Sequence, residues 1–259
     1  MHITMCMLVR NEQSIIKENI LYHKYMGVDR FIIMDHHSDD NTKEILEGLK
    51  NRGLDIEIEH QSSLGYYQAV WMNDLSKKAF RKGTDWIIPC DADEFWVINS
   101  VEKLPDYLGR VDGNIQVLKA YWHNCQAIEG KTPFYENIYF KSDSTSKVIY
   151  RSALNAELSM GNHSVLHTDK TQEVLDLKVM HFQYRDYASI YNKFVNGGQS
   201  YEASILPMCY GVHWKQGFDQ YKRGQLNEYI KRFFYAEEDL IKDKECYRND
   251  IGKIIRSLL

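Results

Sequence analysis

Asp91, Asp93 and Glu94 stand within the stretch DWIIPCDADEFW (Asp85–Trp96). Neighbouring carboxylates repel, and burying any of them without a partner is costly. A positive partner is therefore expected. A D-x-D at the end of an apolar run supplies hard oxygen ligands, which suit Mg²⁺ or Mn²⁺ bound together with the oxygens of a diphosphate. A cation there offsets charge on a leaving nucleotide diphosphate. The competing reading is an acidic turn in which Asp91 or Glu94 caps a helix, and the pattern alone is too short to decide. It is not an EF-hand loop, because the Gly and the distant Glu are missing. If the acids are exposed ligands, removing Asp93 relieves repulsion and leaves stability unchanged or raised.

The flanking elements say where such a cluster would sit. ITMCMLV (Ile3–Val9) reads as a strand buried on both faces. A helix follows with Ile16 and Ile20 one turn apart and Gly27 as its stop. RFIIMD (Arg30–Asp35) is a second strand. Asn41 or Thr42 caps a helix that ends at Gly53. LDIEIEH, a helix over YYQAVWMNDLSKKAFRKG and DWIIPC complete the first hundred residues. Strand–helix alternation predicts an α/β fold with a mostly parallel central sheet and helices on both faces. Ligands of such sheets bind outside the carboxyl ends of the strands. Arg10-Asn11-Glu12, Asp35 and Asp91/Asp93 each follow a predicted strand, so three polar clusters converge on one edge.

The second half is less regular. NIQVLKAYW, SKVIYRS and VLDLKVMHF read as strands, and YASIYNKFVNGG as a helix ending at Gly197-Gly198. The tail from Gln225 to Leu259 reads as helical and amphipathic.

Composition narrows the function classes. The chain has 259 residues, with Lys plus Arg 32 against Asp plus Glu 36, a net charge of −4. That argues against nucleic-acid partners, which require a basic excess. Cys6, Cys90, Cys125, Cys209 and Cys246 are scattered without a C-x-x-C, so free thiols in a reducing cytoplasm are the expectation. No segment approaches the ~20 apolar residues that span a membrane, and the first residues read as a strand rather than a signal peptide. YRNDIGKIIRSLL sets Arg248, Lys253 and Arg256 beside Ile251, Ile254, Ile255 and Leu258. This is the pattern of a weak interfacial helix at the inner membrane surface; the competing reading is packing on the rest of the chain.

MLVRNE, YHKYMGVDRFIIMDHHSDDNT and DWIIPCDADEFW together resemble the opening motifs of family-2-like glycosyltransferases of the GT-A (Rossmann-like) fold. The likeness is to the bacterial D-x-D-E-F branch related to family 92. It continues through GNHSV, MHFQYRD, NKFVNGGQSYEAS and GVHW. The resemblance implies transfer of a sugar from a nucleotide sugar, usually UDP-linked, to the hydroxyl of a glycan or lipid-linked acceptor, with inversion, in surface polysaccharide or glycan synthesis. It assigns donor binding to Val9, Arg10, Asn11, Glu12 and Asp35, and phosphate neutralisation to Lys147, Arg151, Lys193 and Lys215. His213 and Trp214 of GVHW join the donor set. Asp91 and Asp93 flank the Mn²⁺ or Mg²⁺, with His181 the first choice to complete its ligands and His163 the second. Trp122, Trp214 and Tyr121 are candidates to stack on a sugar. Each has a plainer alternative: a satisfied histidine, a solvated cation, a core aromatic, and for Arg185 a brace.

The acceptor base must lie opposite the metal, which leaves Glu94 and Glu136 as candidates. Two departures from the related sequences fall on this side. His123-Asn124-Cys125 stands where an F-G pair is common, and Glu136-Asn137 where E-R is common. The expected organisation is a catalytic domain over 1–215, with a nucleotide-sugar half (1–100) and an acceptor half (101–215), then a helical extension over 216–259. The alternatives are a nucleotidyltransferase, opposed by the lack of Gly in VRNEQS, and a non-catalytic nucleotide-sugar binder.

Overall fold

The computed structural model describes residues 1–100, 102–126, 139–166, 168–206, 211–242 and 251–259. Glu136, Cys209 and Cys246 lie outside the described residues.

Three parallel ladders start the fold. β1 (Ile3–Val9) lies between β2 (Arg30–His36) and β4 (Trp86–Pro89), with β3 (Ile56–Gln61) beyond β2. Alternation along β1 sorts its side chains to the two faces. Ile3, Met5, Met7 and Val9 join the core under α1 (Ile16–Tyr25) and α2 (Thr42–Asn51), whereas Cys6 packs under α3 (Gln68–Arg81) with Trp71, Met72 and Leu75. Helices thus cover both faces, as the alternating pattern predicts.

The sheet continues past β4 through β7 (Tyr139–Arg151), β6 (Val117–Gln126), β11 (Leu177–Tyr184) and β5 (Glu94–Ile98). The short helix α4 (Leu104–Gly109) follows β5, β8 (Glu157–Leu158) and β9 (Val165–Leu166) pair with each other, and β10 (Thr171–Glu173) pairs with β6. β7 runs antiparallel to β4 and β6, and β5 antiparallel to β11, while β11 is parallel to β6. β5 is one element that sequence reading missed. The acidic turn does not cap a helix; Glu94 opens a strand whose partners are far along the chain. The register pairs His181 with Glu94 on one side and with Asn124 on the other.

α5 runs Tyr187–Glu202, through Gly197-Gly198 rather than ending there. Those glycines serve the crossing with α6 (Val212–Lys222). A Cβ on Gly198 would lie 2.1 Å from Phe218 Cβ, and one on Gly217 would lie 2.1 Å from Phe194 Cδ1. The tail is only partly helical. After α7 (Leu226–Ile230), Ile241–Lys242 forms β12 against β7, and α8 (Ile251–Leu258) packs on α1. Ile251, Ile254 and Ile255 are buried there. Three of the four apolar residues read as an interfacial face are therefore covered by the protein itself, and Leu258 is exposed. Among the described residues no helix is long and apolar enough to cross a membrane.

Candidate functional site

A cavity of about 1070 Å³ opens at the carboxyl ends of β1, β2 and β4. Its walls carry Val9, Arg10, Asn11, Glu12, Asp91, Asp93, Lys147, His163, His181, Lys193, His213 and Trp214, so most of the residues singled out by sequence meet in one cleft.

The loops after β1 and β2 are knitted together. Asn11 sits in the left-handed region (φ 55), which Asn tolerates better than most residues. From there its backbone N–H donates to Ser38 Oγ (3.0 Å), and its Oδ1 accepts from the Asp39 N–H (2.9 Å). The Glu12 N–H donates to Thr42 Oγ1 (2.8 Å). Arg10 points across the cleft and donates to Asn196 O and Ser200 Oγ of α5, leaving its buried Nε without a partner.

The acids do receive positive partners, and these come from the protein. Lys147 on β7 is almost fully buried; its Nζ lies 2.7 Å from Asp91 Oδ2 and 3.0 Å from Glu94 Oε1. Burial alone would lower the Lys147 pKa, but Asp91 and Glu94 outweigh it and push it up. Lys193 on α5 bonds Asp93 Oδ2 and lies 3.6 Å from Glu12 Oε1. Arg185 donates to Glu12 Oε2 and Ser14 Oγ, both at 3.2 Å. It braces the fold, as the plainer reading had it, yet also lines the cleft. Burial favours the neutral form of Asp93, but Lys193, His181 and Arg185 prevail and hold its carboxyl well below the usual range. Burial wins at Glu12 and Glu94, whose carboxyls are raised.

Several expectations need correction. Glu94 is completely buried beneath the cleft, accepting from Trp122 Nε1 (2.8 Å) and from the Asp91 N–H (3.1 Å) besides its contact with Lys147. Its oxygens are engaged, so it is no free base. Asp35 is buried outside the cavity lining, 3.5 Å from both Lys43 Nζ and His60 Nδ1. Arg151 is at the end of β7 beside the start of β4, away from the cleft, donating to the carbonyls of Ile115 and Val111 and covering the Trp86 ring at 4.4 Å. Lys215 stands over Tyr201, 5.8 Å from the ring centroid, and does not line the cavity; neither does Tyr121, whereas Trp122 does.

Sequence reading missed Tyr66, Asn196, Ser200 and Gln183, which also line the cleft. Gln183 lies in MHFQYRD on β11 and Asn196 and Ser200 lie in NKFVNGGQSYEAS on α5, motifs quoted without singling these residues out, whereas Tyr66 follows β3 in no quoted motif of the resemblance. Among the described residues no three His, Cys, Asp or Glu side chains stand ready as a metal site. One pair does fit a cation in part: His181 Nε2 and Asp93 Oδ2 are 3.5 Å apart, with Lys193 now at the same oxygen.

A family model described as Glycosyltransferase family 92 matches residues 2–235. The chain belongs to this family. A family 92 protein of Oryza sativa subsp. japonica is 27% identical over 110 residues, covering 40% of this chain and 17% of that protein. One of Arabidopsis thaliana is 28% identical over 91 residues, covering 35% and 16%. The chain thus spans about a sixth of the length of the curated relatives it matches. S. aureus TarS 1-349 in complex with UDP-GlcNAc has a TM-score of 0.52 at 14% identity, covering 100% of this chain and 82% of that chain. Uncomplexed TarS 1-349 gives a TM-score of 0.50 at the same identity. The likeness establishes the GT-A-type fold that the motifs of this family 92 chain imply.

Proposed function

We propose that this family 92 chain transfers a sugar from a nucleotide-diphosphate sugar, UDP-linked, to an acceptor hydroxyl. The observation that carries the reading is a D-x-D at the end of β4, in one cavity with Arg10, Lys147, Arg185 and Lys193. A diphosphate brings strong negative charge, and Arg10, Arg185 and Lys193 offer it charge-assisted bonds, while Lys147 holds the D-x-D turn. Val9 to Glu12 and Tyr66 line the part of the cleft beside β1 and β2, where open α/β sheets take nucleotides. The UDP-GlcNAc complex of TarS supports a UDP-linked donor.

Asp93 and His181, with Asp91 beside them, would hold Mn²⁺ or Mg²⁺, and the bound cation would neutralise charge on the departing diphosphate. Lys193 must then yield Asp93 to the cation and turn to the phosphates. Trp122 and Trp214 present aromatic surface to the sugar and acceptor. Inversion calls for a base on the acceptor side, which Glu94 cannot supply; Glu136 remains the candidate from sequence. Acceptors of the glycan or lipid-linked kind follow from the same resemblance.

Calorimetry of UDP binding with Mn²⁺ and with EDTA tests the cation. Affinity at least tenfold higher with Mn²⁺ is expected, and equal affinity rules the cation bridge out. Slow release of UDP from a UDP-sugar without acceptor separates an enzyme from a binder, because a binder releases none.

A further inference from the structure

The cleft histidine His181 is addressed from behind by Asn124. The two residues are paired in the parallel ladder between β6 and β11. Asn124 stands in His123-Asn124-Cys125, the triplet that departs from the related sequences. Both residues are nearly fully buried, and His181 stacks on Trp122 with ring centroids 4.1 Å apart.

The orientation of the Asn124 amide is decided by its partners. Its Nδ2 lies 2.9 Å from Asp143 Oδ2 and 3.3 Å from Tyr235 Oη. A carboxylate only accepts, so the amide nitrogen must face Asp143. Burial opposes ionisation of Asp143, but bonds from the Thr145 hydroxyl and N–H and from Asn124 keep its carboxyl low. The other end of the amide is then fixed. Asn124 Oδ1 lies 3.0 Å from His181 Nδ1 and 3.3 Å from Gln183 Nε2. An amide oxygen only accepts, so His181 Nδ1 must carry a hydrogen.

We infer that Asp143 and Asn124 lock His181 in its Nδ1–H tautomer, turning the Nε2 lone pair into the cleft beside Asp93. Asp143 orients the amide, the amide oxygen selects the tautomer, and Trp122 fixes the ring plane. Asn124 and Asp143 are thus positioning residues that touch no substrate. Without them the ring is free to place its hydrogen on Nε2 and donate to Asp93 Oδ2, a hydrogen bond that removes the lone pair from the cleft. A histidine that ligates a metal has its tautomer set by the bond its other nitrogen makes. The inference rests on the proposed donor site only for what the lone pair binds; the tautomer is a property of the protein alone.

The test uses the full chain labelled with ¹⁵N in both ring nitrogens of histidine, metal-free at pH 8.5, about two units above the ordinary imidazole pKa of ~6.5. The His181 signals are assigned by their loss in His181→Gln. In the wild type Nδ1 is expected to be pyrrole-like and Nε2 pyridine-like. In Asn124→Leu the pattern should invert, with the remaining histidine signals unmoved as evidence of an intact fold. In Asp143→Asn the Asn124 amide is free to turn over, and a mixture of the two tautomers is expected. A wild-type His181 with hydrogen on Nε2, or on both nitrogens, overturns the lock even if no variant folds. So does a folded Asn124→Leu with the wild-type pattern. Counting free Mn²⁺ by EPR in the presence of UDP then isolates the donor-site reading. Loss of Mn²⁺ affinity of about 10–100-fold in Asn124→Leu is the size typical of such supporting partners. An inverted tautomer with unchanged Mn²⁺ affinity upholds the lock and removes His181 from the cation site.

Discussion

Lys147 Nζ lies 2.7 Å from Asp91 Oδ2, and its side chain is only 1% exposed. The lysine that sequence reading offered to phosphates is already engaged by the D-x-D turn. Breaking a buried pair by removing one partner costs about 3–5 kcal/mol. Lys147→Met is therefore expected to lose about that much stability in urea unfolding, because Glu94 and Asp91 lose their cation. Unchanged stability with lost UDP affinity would instead make Lys147 a phosphate ligand.

Asp93 and Glu94 should act on stability with opposite signs of pH dependence. Asp93 is held low, so its contribution is present above its unfolded pKa of ~3.9 and fades as pH falls below it. Glu94 is raised by burial, so the native chain holds its proton above the unfolded value of ~4.3, and stability declines as pH climbs through that window. Urea unfolding from pH 3 to 7 reads both. The advantage of wild type over Asp93→Asn should shrink toward pH 3, while Glu94→Gln should gain on wild type as pH rises above the unfolded value of ~4.3. A pH-independent gap for Asp93→Asn would show that Asp93 is not ionised against Lys193. Asp93→Ala itself should lower the melting temperature. The rise expected from relieved repulsion assumed an exposed acid, and Asp93 is buried against Lys193 and His181.

The first half of the fold was legible because each element carries its own period. Ile3–Val9 and Arg30–Asp35 are apolar runs, and the helices after them stop at Gly27 and Gly53 as read, whereas Asn41 makes no capping bond and Asp40 accepts from the Thr42 N–H instead. What escaped detection depends on partners distant in sequence. Glu94 looks like part of an acidic turn until β11 pairs with it. Gly197-Gly198 look like a helix stop until Phe218 and Trp214 arrive from α6. The same holds within the site. Asp91, Asp93 and the residues after β1 follow from strand ends, whereas the roles of Asn124 and Asp143 emerge only from register.

Gly198 and Gly48 separate close packing from helix propensity. Gly198→Ala places a methyl into Phe218 and should cost about 1–3 kcal/mol, as overpacking does. It should also weaken UDP binding, because α5 carries Lys193. Gly48 lies inside α2, where an added Cβ would meet nothing within 4 Å, so Gly48→Ala should stabilise by about 0.4–1 kcal/mol. Thermal unfolding of the two variants checks the contrast. Equal effects would mean that the α5–α6 crossing can relax.

Arg151 and Lys193 were both offered to the diphosphate, and the sheet separates them. Lys147 and Arg151 are four residues apart on β7, about 13 Å along a strand. β7 runs antiparallel to β4, with Arg151 opposite Trp86. Following β7 toward Arg151 therefore leads away from the carboxyl end of β4, where the cleft lies. Arg151 instead ties β7 to the carbonyls of Val111 and Ile115 and covers Trp86. Arg151→Ala should lower stability by about 1.5–3 kcal/mol, the scale of bonds made by a charged group, and leave UDP affinity within twofold of wild type. Lys193→Ala should do the reverse at the ligand, cutting UDP affinity at least tenfold. Calorimetry on both variants at matched Mn²⁺ decides; loss of UDP affinity in Arg151→Ala without loss of stability would return Arg151 to the donor site.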